Sequence, residues 1–333
     1  MTFWITCESI QIMKSNSSVI RDTVLDMGGT IEEFLPERDC FYVNVAGKRF
    51  LLERHITVTR NSYVSGRLTE YKDITYKLLV SHGWSSPKTE SFYYKTYNRR
   101  QVEDQLHNLV YPIIIKNAHG SNSQGVFPFI MDGHEAQKII RKNLPKYQSM
   151  IAQEMVFGKE YRILVLGDRV IAGLQMIHPH IVGDGRSTVR KIIQTKQNTT
   201  ERRTPFDKKL LYILKKQGVK LRSVLPKNKI IYIKGNACLA EGGETKDITD
   251  DIHPEIKKMA VSLSKMVGKN LIGIDLICTD IFKYPDKKYF FILEINGNPS
   301  LDIHNHPTHG RPRNVAKKII QFVTRLSVSL QQR

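Results

Sequence analysis

Apolar and polar positions alternate most clearly near the C-terminus, in the stretch LIGIDLICTDIFKYPDKKYFFILEINGNP from Leu271 to Pro299. Two apolar, β-branched runs flank the polar segment Lys283–Lys288, which contains a Pro and an Asp. Both are common turn residues, so the pattern predicts a β-hairpin. In the second run Glu294 and Asn296 fall on one face if the period is two, and the opposite face is apolar, with Phe291, Leu293 and Ile295.

The predicted hairpin brings acidic residues together. A turn centred near Tyr284 and Pro285 sets Asp275 opposite Glu294. The oxygens of Asp275, Glu294 and Asn296 would then converge from two neighbouring strands. Oxygen donors without a nearby Cys are typical of a hard cation, Mg²⁺ or Mn²⁺. Two carboxylates inside apolar runs are costly unless a cation compensates them, which favours a metal site over the alternative, a half-solvated strand whose acids face water.

Elsewhere the pattern predicts short helices mixed with short strands. Apolar residues recur at helical spacing in five segments, which are Ser18–Met27, Lys72–Ser81, Gly133–Leu144, Ile256–Val267 and Val315–Leu330. Strand-like runs follow the same logic, at Cys40–Val45, Arg49–Leu52, Ile151–Val156, Tyr161–Leu166, Arg169–Leu174 and Ile230–Lys234. Pro145 is predicted to end the third helix and to mark a boundary between two halves of the protein. The mixture predicts an α+β (α/β) protein.

Composition narrows the class of protein. With 333 residues, 41% of them hydrophobic, the chain can form a large core of two or three subdomains. No apolar run reaches the length of about 18 residues that a membrane span needs, and the N-terminus has no signal-peptide pattern. The four cysteines form no CxxC motif, which favours a reducing, cytoplasmic setting, and Cys278, inside an apolar run, is interpreted as a core residue.

The formal net charge of +19 calls for an anionic partner. A field of that sign attracts phosphates, carboxylates or nucleic acid. In the densest basic region, Arg202–Lys234, the basic residues are interspersed with apolar ones. A helix with a solvated basic face is favoured there over a nucleic-acid surface.

A second candidate site is the stretch YPIIIKNAHGSNSQGV, from Tyr111 to Val126. Three isoleucines predict a buried strand that Lys116 ends, and a loop of small polar residues follows, with Gly120, Ser121, Ser123 and Gly125. Such a loop can turn backbone N–H groups toward an anion, with the lysine supplying charge. No GK[ST] pattern is present, so this is not a Walker loop. A plain surface loop is the alternative.

These stretches together resemble one family. The run ILEINGNPSLDIHNHPTHGRPRNVA, Ile292 to Ala316, is similar to the metal-binding end of ATP-grasp ligases, in particular the cyanophycin synthetase branch, which is related to the fused glutathione synthetases. The resemblance covers roughly Thr59 to Ala316 and depends on six motifs in the right order. It implies two α+β subdomains that grip ATP, at residues 66–145 and 146–330, preceded by a small α/β domain at residues 1–65.

The resemblance also implies roles for single residues. Lys72, Lys116 and the glycine-containing loop would bind the phosphates of ATP. The adenine would meet a connector of Glu154, Met155 and Val156, and Glu160 would accept hydrogen bonds from the ribose hydroxyls. The remaining implied residues are Arg162, Lys234 and Asn236 at the transferring phosphate, Asp275, Glu294 and Asn296 on two Mg²⁺ ions, with Mn²⁺ as a substitute, and His304 and Arg311 on a carboxylate substrate.

Several of these residues also have ordinary interpretations. A lysine that opens a helix, such as Lys72, is usually a solvated charge, and Glu160 and Arg162 could be an exposed pair on one strand face. The histidines of SLDIHNHPTHGRPRN suggest a transition metal at first sight, but the family has a histidine near His304 without a zinc site. Cys238 stands where the family has asparagine, and Asn117 where it usually has proline, which leaves the substrate and the loop geometry open.

The resemblance implies an ATP-dependent carboxylate–amine ligase acting through an acyl phosphate. Its substrates would be a small-molecule carboxylate and an amine, such as amino acids or short peptides. A glutathione-synthetase-like ligase and a non-catalytic ATP-binding protein are the alternatives. The sequence disfavours nucleic acid and membranes as partners and leaves a homodimer open.

Overall fold

The computed structural model describes residues 14–53, 63–120, 125–199, 206–234 and 243–331. The helices are α1 Asn16–Asp26, α2 Tyr63–Glu70, α3 Lys72–Ser81, α4 Arg99–His107, α5 Gly133–Tyr147, α6 Val189–Thr199, α7 Lys208–Lys216, α8 Pro254–Val267, α9 Asp302–Asn305 and α10 Val315–Gln331. The strands are β1 Thr30–Leu35, β2 Cys40–Val45, β3 Lys48–Glu53, β4 Thr89–Tyr93, β5 Ile113–Asn117, β6 Val126–Ile130, β7 Ser149–Glu154, β8 Lys159–Leu166, β9 Arg169–Ile177, β10 His180–Val182, β11 Ile230–Tyr232, β12 Glu244–Asp247, β13 Leu271–Cys278 and β14 Phe290–Asn296. No helix in these ranges is long and apolar enough to cross a membrane.

A five-stranded antiparallel sheet in the order β12-β9-β8-β13-β14 forms the centre of the molecule. One face is apolar and packs against α8, through residues such as Ile163, Ile274 and Ile292. The other face is divided. One end of it, including Leu164 and Leu271, is covered by α1 and α10, and the rest carries the polar residues of the candidate site.

The predicted register of the hairpin is confirmed, since Asp275 pairs with Glu294. The predicted alternation is wrong in part. A β-bulge follows Asp275, whose neighbour Leu276 pairs with Ile292, so Leu293 is an extra residue in its strand. Ile292 and Ile295 are therefore both buried in the core, three positions apart, whereas period two had placed Ile292 on the face of Glu294.

A four-stranded sheet in the order β4-β7-β5-β6 lies beside α4 and α5. The prediction that Pro145 ends its helix is wrong, because α5 continues through Pro145 to Tyr147. A proline in the last turn deprives the helix of one hydrogen bond near its end, where the backbone is least constrained. Strand β7 then pairs between β4 and β5, so this sheet extends past the predicted boundary at residue 145. A division after Glu154 would keep the sheet in one subdomain.

The N-terminal residues form the predicted β2–β3 hairpin, with β1 as a third strand that the sequence did not predict. Helix α1 and the buried face of this sheet join α10 in one apolar cluster, with Val24, Val43 and Ile320 as members.

Within residues 180–199 and 206–234, β10, β11, α6 and α7 enclose a small core of their own, which includes Ile181, Leu210 and Ile231. The sequence favoured a basic helix within Arg202–Lys234, where α7 lies, and predicted a strand at Ile230–Lys234, where β11 lies. Helix α7 reaches across to α5, where Lys216 Nζ donates to Glu135 Oε2 at 2.6 Å and Tyr212 Oη donates to Glu135 Oε1 at 3.2 Å.

Candidate active site

One row of residues crosses all five strands of the central sheet. Asp247 of β12 pairs with Leu174 of β9, which pairs with Arg162 of β8; Arg162 pairs with Asp275 of β13, and Asp275 with Glu294 of β14. Directly paired residues in antiparallel strands share a face, so four charged side chains emerge on one side. Two adjacent strands thus bring together Asp275 and Glu294, as the sequence predicted.

Arg162 and Asp275 form a bidentate ion pair at the centre of this row. Arg162 Nε donates to Asp275 Oδ1 at 2.6 Å, and Nη2 donates to Oδ2 at 2.7 Å. Asp275 is only 6% exposed. Burial raises the pKa of Asp275, against the attraction of Arg162. For Arg162, burial alone would lower the pKa, but the attraction of the neighbouring carboxylates, Asp275 foremost, is larger in sum and raises it. The guanidinium therefore stays charged.

Glu294 lies where several cations converge. Its Oε2 is 3.8 Å from Lys72 Nζ. Burial alone would raise the pKa of Glu294, but Lys72, Lys116 and Arg162 together lower it, so the carboxylate is charged. A carboxylate held ionised by three cations from different elements marks the meeting point of α3, β5 and β8.

Lys72 links this carboxylate to the start of the glycine-containing loop. Its Nζ donates to the Gly120 carbonyl at 2.7 Å, and its backbone N–H donates to the Ala118 carbonyl at 2.9 Å. Beside it Tyr71 and His119 form an isolated β-bridge, and their rings meet edge to face at 4.6 Å. Gly120 and Gly125 both have positive φ, 124° and 72°, which explains the glycines at these positions.

Lys116 enters the same cleft from the four-stranded sheet. Its Nζ donates to Gln153 Oε1 of the neighbouring strand β7 at 3.0 Å. Burial lowers the pKa of Lys116, partly offset by Glu294, Asp275 and Glu160 of the five-stranded sheet. Since a lysine on one sheet experiences the carboxylates of the other, the two sheets face each other across the predicted nucleotide cleft.

The connector between the sheets is held by its own hydrogen bonds. Glu154 Oε1 accepts from the Val110 N–H at 2.8 Å, and the Met155 N–H donates to the Pro112 carbonyl at 3.0 Å. Glu154 Oε1 and the Met155 N–H are therefore bonded within the protein. Val156 follows directly and is half-buried.

Further along β8, Glu160 shares the face of Arg162, as predicted. Its Oε2 lies 2.6 Å from Nε2 of His178, a residue that the sequence did not single out.

Asn296 Oδ1 accepts a hydrogen bond from the Asn298 N–H at 2.9 Å. Lys234, two residues beyond the end of β11, is buried. Ser121, Ser123, Asn236 and Cys238 lie outside the described residues.

The three histidines after Pro299 turn in different directions. His304 is fully buried, with both ring nitrogens unpartnered among the described residues, and burial, aided by Arg162, lowers its pKa to about 3. His306 Nδ1 lies 2.8 Å from Asp302 Oδ1, and His309 Nε2 lies 3.1 Å from Glu244 Oε2. This placement gives no support to a transition-metal site. His304 lies beneath the surface, where its side chain is not exposed to a substrate.

Sequence reasoning also missed the partner of Asp247. Arg313 forms ion pairs with both Asp247 and Asp250, and burial alone would raise the pKa of Asp247, but Arg313 and Thr249 lower it. Arg311, two residues earlier, is exposed. The pairing joins β12 to the histidine-containing loop across 66 residues of sequence, a separation that no local pattern reveals.

The donor set at Asp275, Glu294 and Asn296 is compatible with a hard cation in its chemistry. Within the described residues no three His, Cys, Asp or Glu side chains gather as metal ligands. The set is two carboxylates on paired strands and one amide oxygen, all hard oxygen donors. In this structure two of these groups already accept hydrogen bonds: Asp275 from Arg162, and Asn296 from the Asn298 N–H.

Known proteins resemble this chain in sequence and structure. Residues 69–202 match the RimK-like ATP-grasp domain. The cyanophycin synthetase of Crocosphaera subtropica is 31% identical over 224 residues, 64% of this chain and 26% of that protein. The glutathione biosynthesis bifunctional protein GshAB of Mannheimia succiniciproducens is 28% identical over 309 residues, 86% of this chain and 40% of that protein. The chain therefore spans less than half the length of these relatives.

A crystal structure of a bifunctional glutathione synthetase from Pasteurella multocida aligns with 94% of this chain and 44% of its own, with a TM-score of 0.63 and 21% identity. The chain thus has the fold of ATP-grasp proteins, as the sequence predicted. More specifically, its residues 69–202 match the RimK-like ATP-grasp domain, and its sequence is similar to those of the cyanophycin synthetases and the GshAB proteins.

Proposed function

We propose that this protein is an ATP-dependent carboxylate–amine ligase. The observation that carries the proposal is the ionised Glu294 beside the Arg162–Asp275 pair, facing Lys72 and Lys116 across the cleft. A protein without phosphate chemistry gains little from concentrating buried charges of both signs at one point. The cyanophycin synthetase and glutathione synthetase names of the relatives support a reaction that forms amide bonds.

In the proposed reaction the substrate carboxylate attacks the γ-phosphorus of ATP, which gives an acyl phosphate and ADP. A neutral amine then attacks the acyl carbon, phosphate leaves with the electron pair of the broken bond, and the new amide nitrogen loses a proton. The protein contributes fixed positive charge where negative charge is transferred. Lys72, Lys116, Arg162 and Lys234 are the candidates for this charge. Asn236, which lies outside the described residues, would add a neutral amide at the transferring phosphate.

The nucleotide would lie between the two sheets. The loop Gly120–Gly125, with Ser121 and Ser123, would cover its phosphates and exclude water from the acyl phosphate. At the adenine the contacts expected from the connector are the Met155 carbonyl, the backbone of Val156 and the second oxygen of Glu154, because the Met155 N–H and Glu154 Oε1 are already bonded. Glu160 is the proposed acceptor for the ribose hydroxyls.

Asp275, Glu294 and Asn296 would hold the Mg²⁺ ions that accompany ATP, with Mn²⁺ as a substitute. When bound, such ions neutralise phosphate charge and orient the reacting groups. The residues themselves stay fixed by the sheet: Asp275 is restrained by two hydrogen bonds from Arg162, and Glu294 by its strand pairing. Coordination by Asn296 requires its amide oxygen to exchange the Asn298 N–H for the ion.

For the substrate carboxylate Arg311 is the better of the two predicted residues, because it is exposed whereas His304 is fully buried. An amino acid or short peptide is the proposed substrate class, with a glutathione-like ligation as one version of it. Action in the cytoplasm, indifference to nucleic acid, a homodimer and the three-part division of the chain stay predictions of the sequence.

The decisive experiment measures phosphate release from Mg-ATP against a panel of amino acids and dipeptides, with product masses read from each reaction. The proposal predicts turnover that depends on one carboxylate and one amine. Glu294→Gln should abolish it while circular dichroism stays unchanged, and Glu255→Gln, at a half-exposed surface pair with Lys258, should not affect it. Nucleotide binding without turnover on any substrate would favour the alternative, a non-catalytic ATP-binding protein.

A further inference from the structure

His178 is a second residue at the end of the nucleotide cleft where Glu160 lies. It follows strand β9 directly, two positions beyond Met176, which pairs with Glu160. Side chains two apart on a strand share a face, and diagonal neighbours across a pair can touch. The register therefore brings the imidazole to the carboxylate. The two groups meet at 2.6 Å, Nε2 to Oε2, with side-chain exposures of 28% and 22%.

The position of the imidazole is itself fixed from two other sides. Its ring meets the ring of Tyr232 in β11 edge to face, with centroids 5.9 Å apart. Its backbone carbonyl accepts a hydrogen bond from His180 Nδ1 at 2.9 Å. An imidazole held by ring packing and by its own backbone is a rigid donor, and a rigid donor restricts the rotamers of the carboxylate that it contacts.

Glu160 has one oxygen to spare for a ligand. Among the described residues, Oε2 alone of its two oxygens accepts a hydrogen bond. The carboxylate also acts electrostatically on Lys116 and Arg162, two of the cations of the cleft. The carboxylate thus lies near cations of the cleft, with one oxygen anchored by His178 and the other without a hydrogen bond among the described residues.

We propose that His178 is a positioning residue which fixes Glu160 for the ribose of ATP and so makes the site selective for ribonucleotides. The inference rests on the proposed function, because it requires ATP in this cleft. A carboxylate that is free to rotate samples several orientations and loses part of a hydrogen bond to a hydroxyl. Holding one oxygen at 2.6 Å from His178 removes that freedom before the nucleotide arrives.

The test compares the dissociation constants of ATP and 2′-deoxy-ATP, each with Mg²⁺, by isothermal titration calorimetry. Wild-type protein should prefer ATP by about tenfold, since one hydrogen bond to a charged group is at stake. His178→Phe keeps a ring against Tyr232 but removes the donor, and should bring the ratio close to one. His178→Gln places an amide nitrogen near the position of Nε2 and should restore most of the preference. His107→Ala, at an exposed histidine of α4, is the control and should equal wild type.

Each other outcome has a separate meaning. A wild-type ratio in His178→Phe overturns the positioning role while leaving the proposed function intact. A ratio near one in the wild type, or a wild-type ratio in Glu160→Gln, overturns the assignment of the ribose to Glu160 and with it the role of His178. Absence of ATP binding to the wild-type protein overturns the proposed function itself.

Discussion

Replacing Arg162 with Met tests the electrostatic interpretation of the central sheet. Asp275 is 6% exposed, and each of its carboxylate oxygens accepts a hydrogen bond from this guanidinium. Removing one partner of a buried ion pair leaves an uncompensated charge and typically costs about 3–5 kcal/mol in the free energy of unfolding. The methionine retains much of the apolar volume of the arginine, so most of that cost is electrostatic.

The cost should depend on pH in a stated direction. Burial already raises the pKa of Asp275, and loss of Arg162 raises it further above the value in the unfolded chain. A group whose pKa is raised in the folded state favours folding at low pH and loses that contribution as pH rises through the folded pKa. The destabilisation should therefore be largest at neutral pH and smaller at an acidic pH, where the carboxyl takes up a proton.

Urea denaturation at both pH values measures the free energies. Arg186→Met is the matched control, because that side chain is 88% exposed, and it should change stability by no more than about 0.5 kcal/mol. Adding Asp275→Asn to Arg162→Met should recover part of the loss, since the unpaired charge is then gone. A cost below about 1 kcal/mol at neutral pH, or one that grows on acidification, refutes the reasoning.

Three further predictions concern contacts around the cleft. Lys72→Met should weaken ATP binding about tenfold or more by calorimetry, because Nζ lies between the Gly120 carbonyl and Glu294, whereas Lys77→Met, on the exposed face of α3, should not. Glu135→Gln weakens the ion pair between α5 and α7, so amide hydrogen exchange in α7 should accelerate; unchanged exchange would mean that other contacts hold α7. Asn16→Ala removes three hydrogen bonds to residues 298–301 and should lower the free energy of unfolding by about 1–3 kcal/mol, with an unaltered urea midpoint as the contrary result.

The sequence predicted the parts of this site that depend on local periodicity. Asp275 and Glu294 could be paired because both strands and the turn between them lie in one continuous stretch, whose register follows from the turn centre. Helix α3 was predicted with its observed bounds, since apolar spacing and a following Gly define its ends. The ATP-grasp fold was predicted from the order of motifs.

Pairings between distant segments were beyond such reasoning. Arg162 and Asp275 are 113 residues apart, and nothing in either local pattern specifies that β8 lies beside β13. The same holds for the contact of His178 with Glu160 and for the burial of His304, because both depend on where β9 and α9 are placed by the whole sheet. The prediction that Pro145 ends its helix was wrong because it used helix propensity alone, and tertiary packing, which can override propensity, is present only in the folded protein.

The bulge at Leu293 decides how a single strand can serve two purposes. Counting in twos from Ile292, Glu294 would otherwise enter the hydrophobic interior, and the insertion of one residue exchanges the two sides in mid-strand. Deleting either Leu293 or Ile292 would leave a regular strand, with an apolar residue opposite Leu276 and Glu294 still opposite Asp275. Deleting Ile295 would instead move Asn296 into the apolar side, so tolerance to shortening should be confined to the two residues at the bulge.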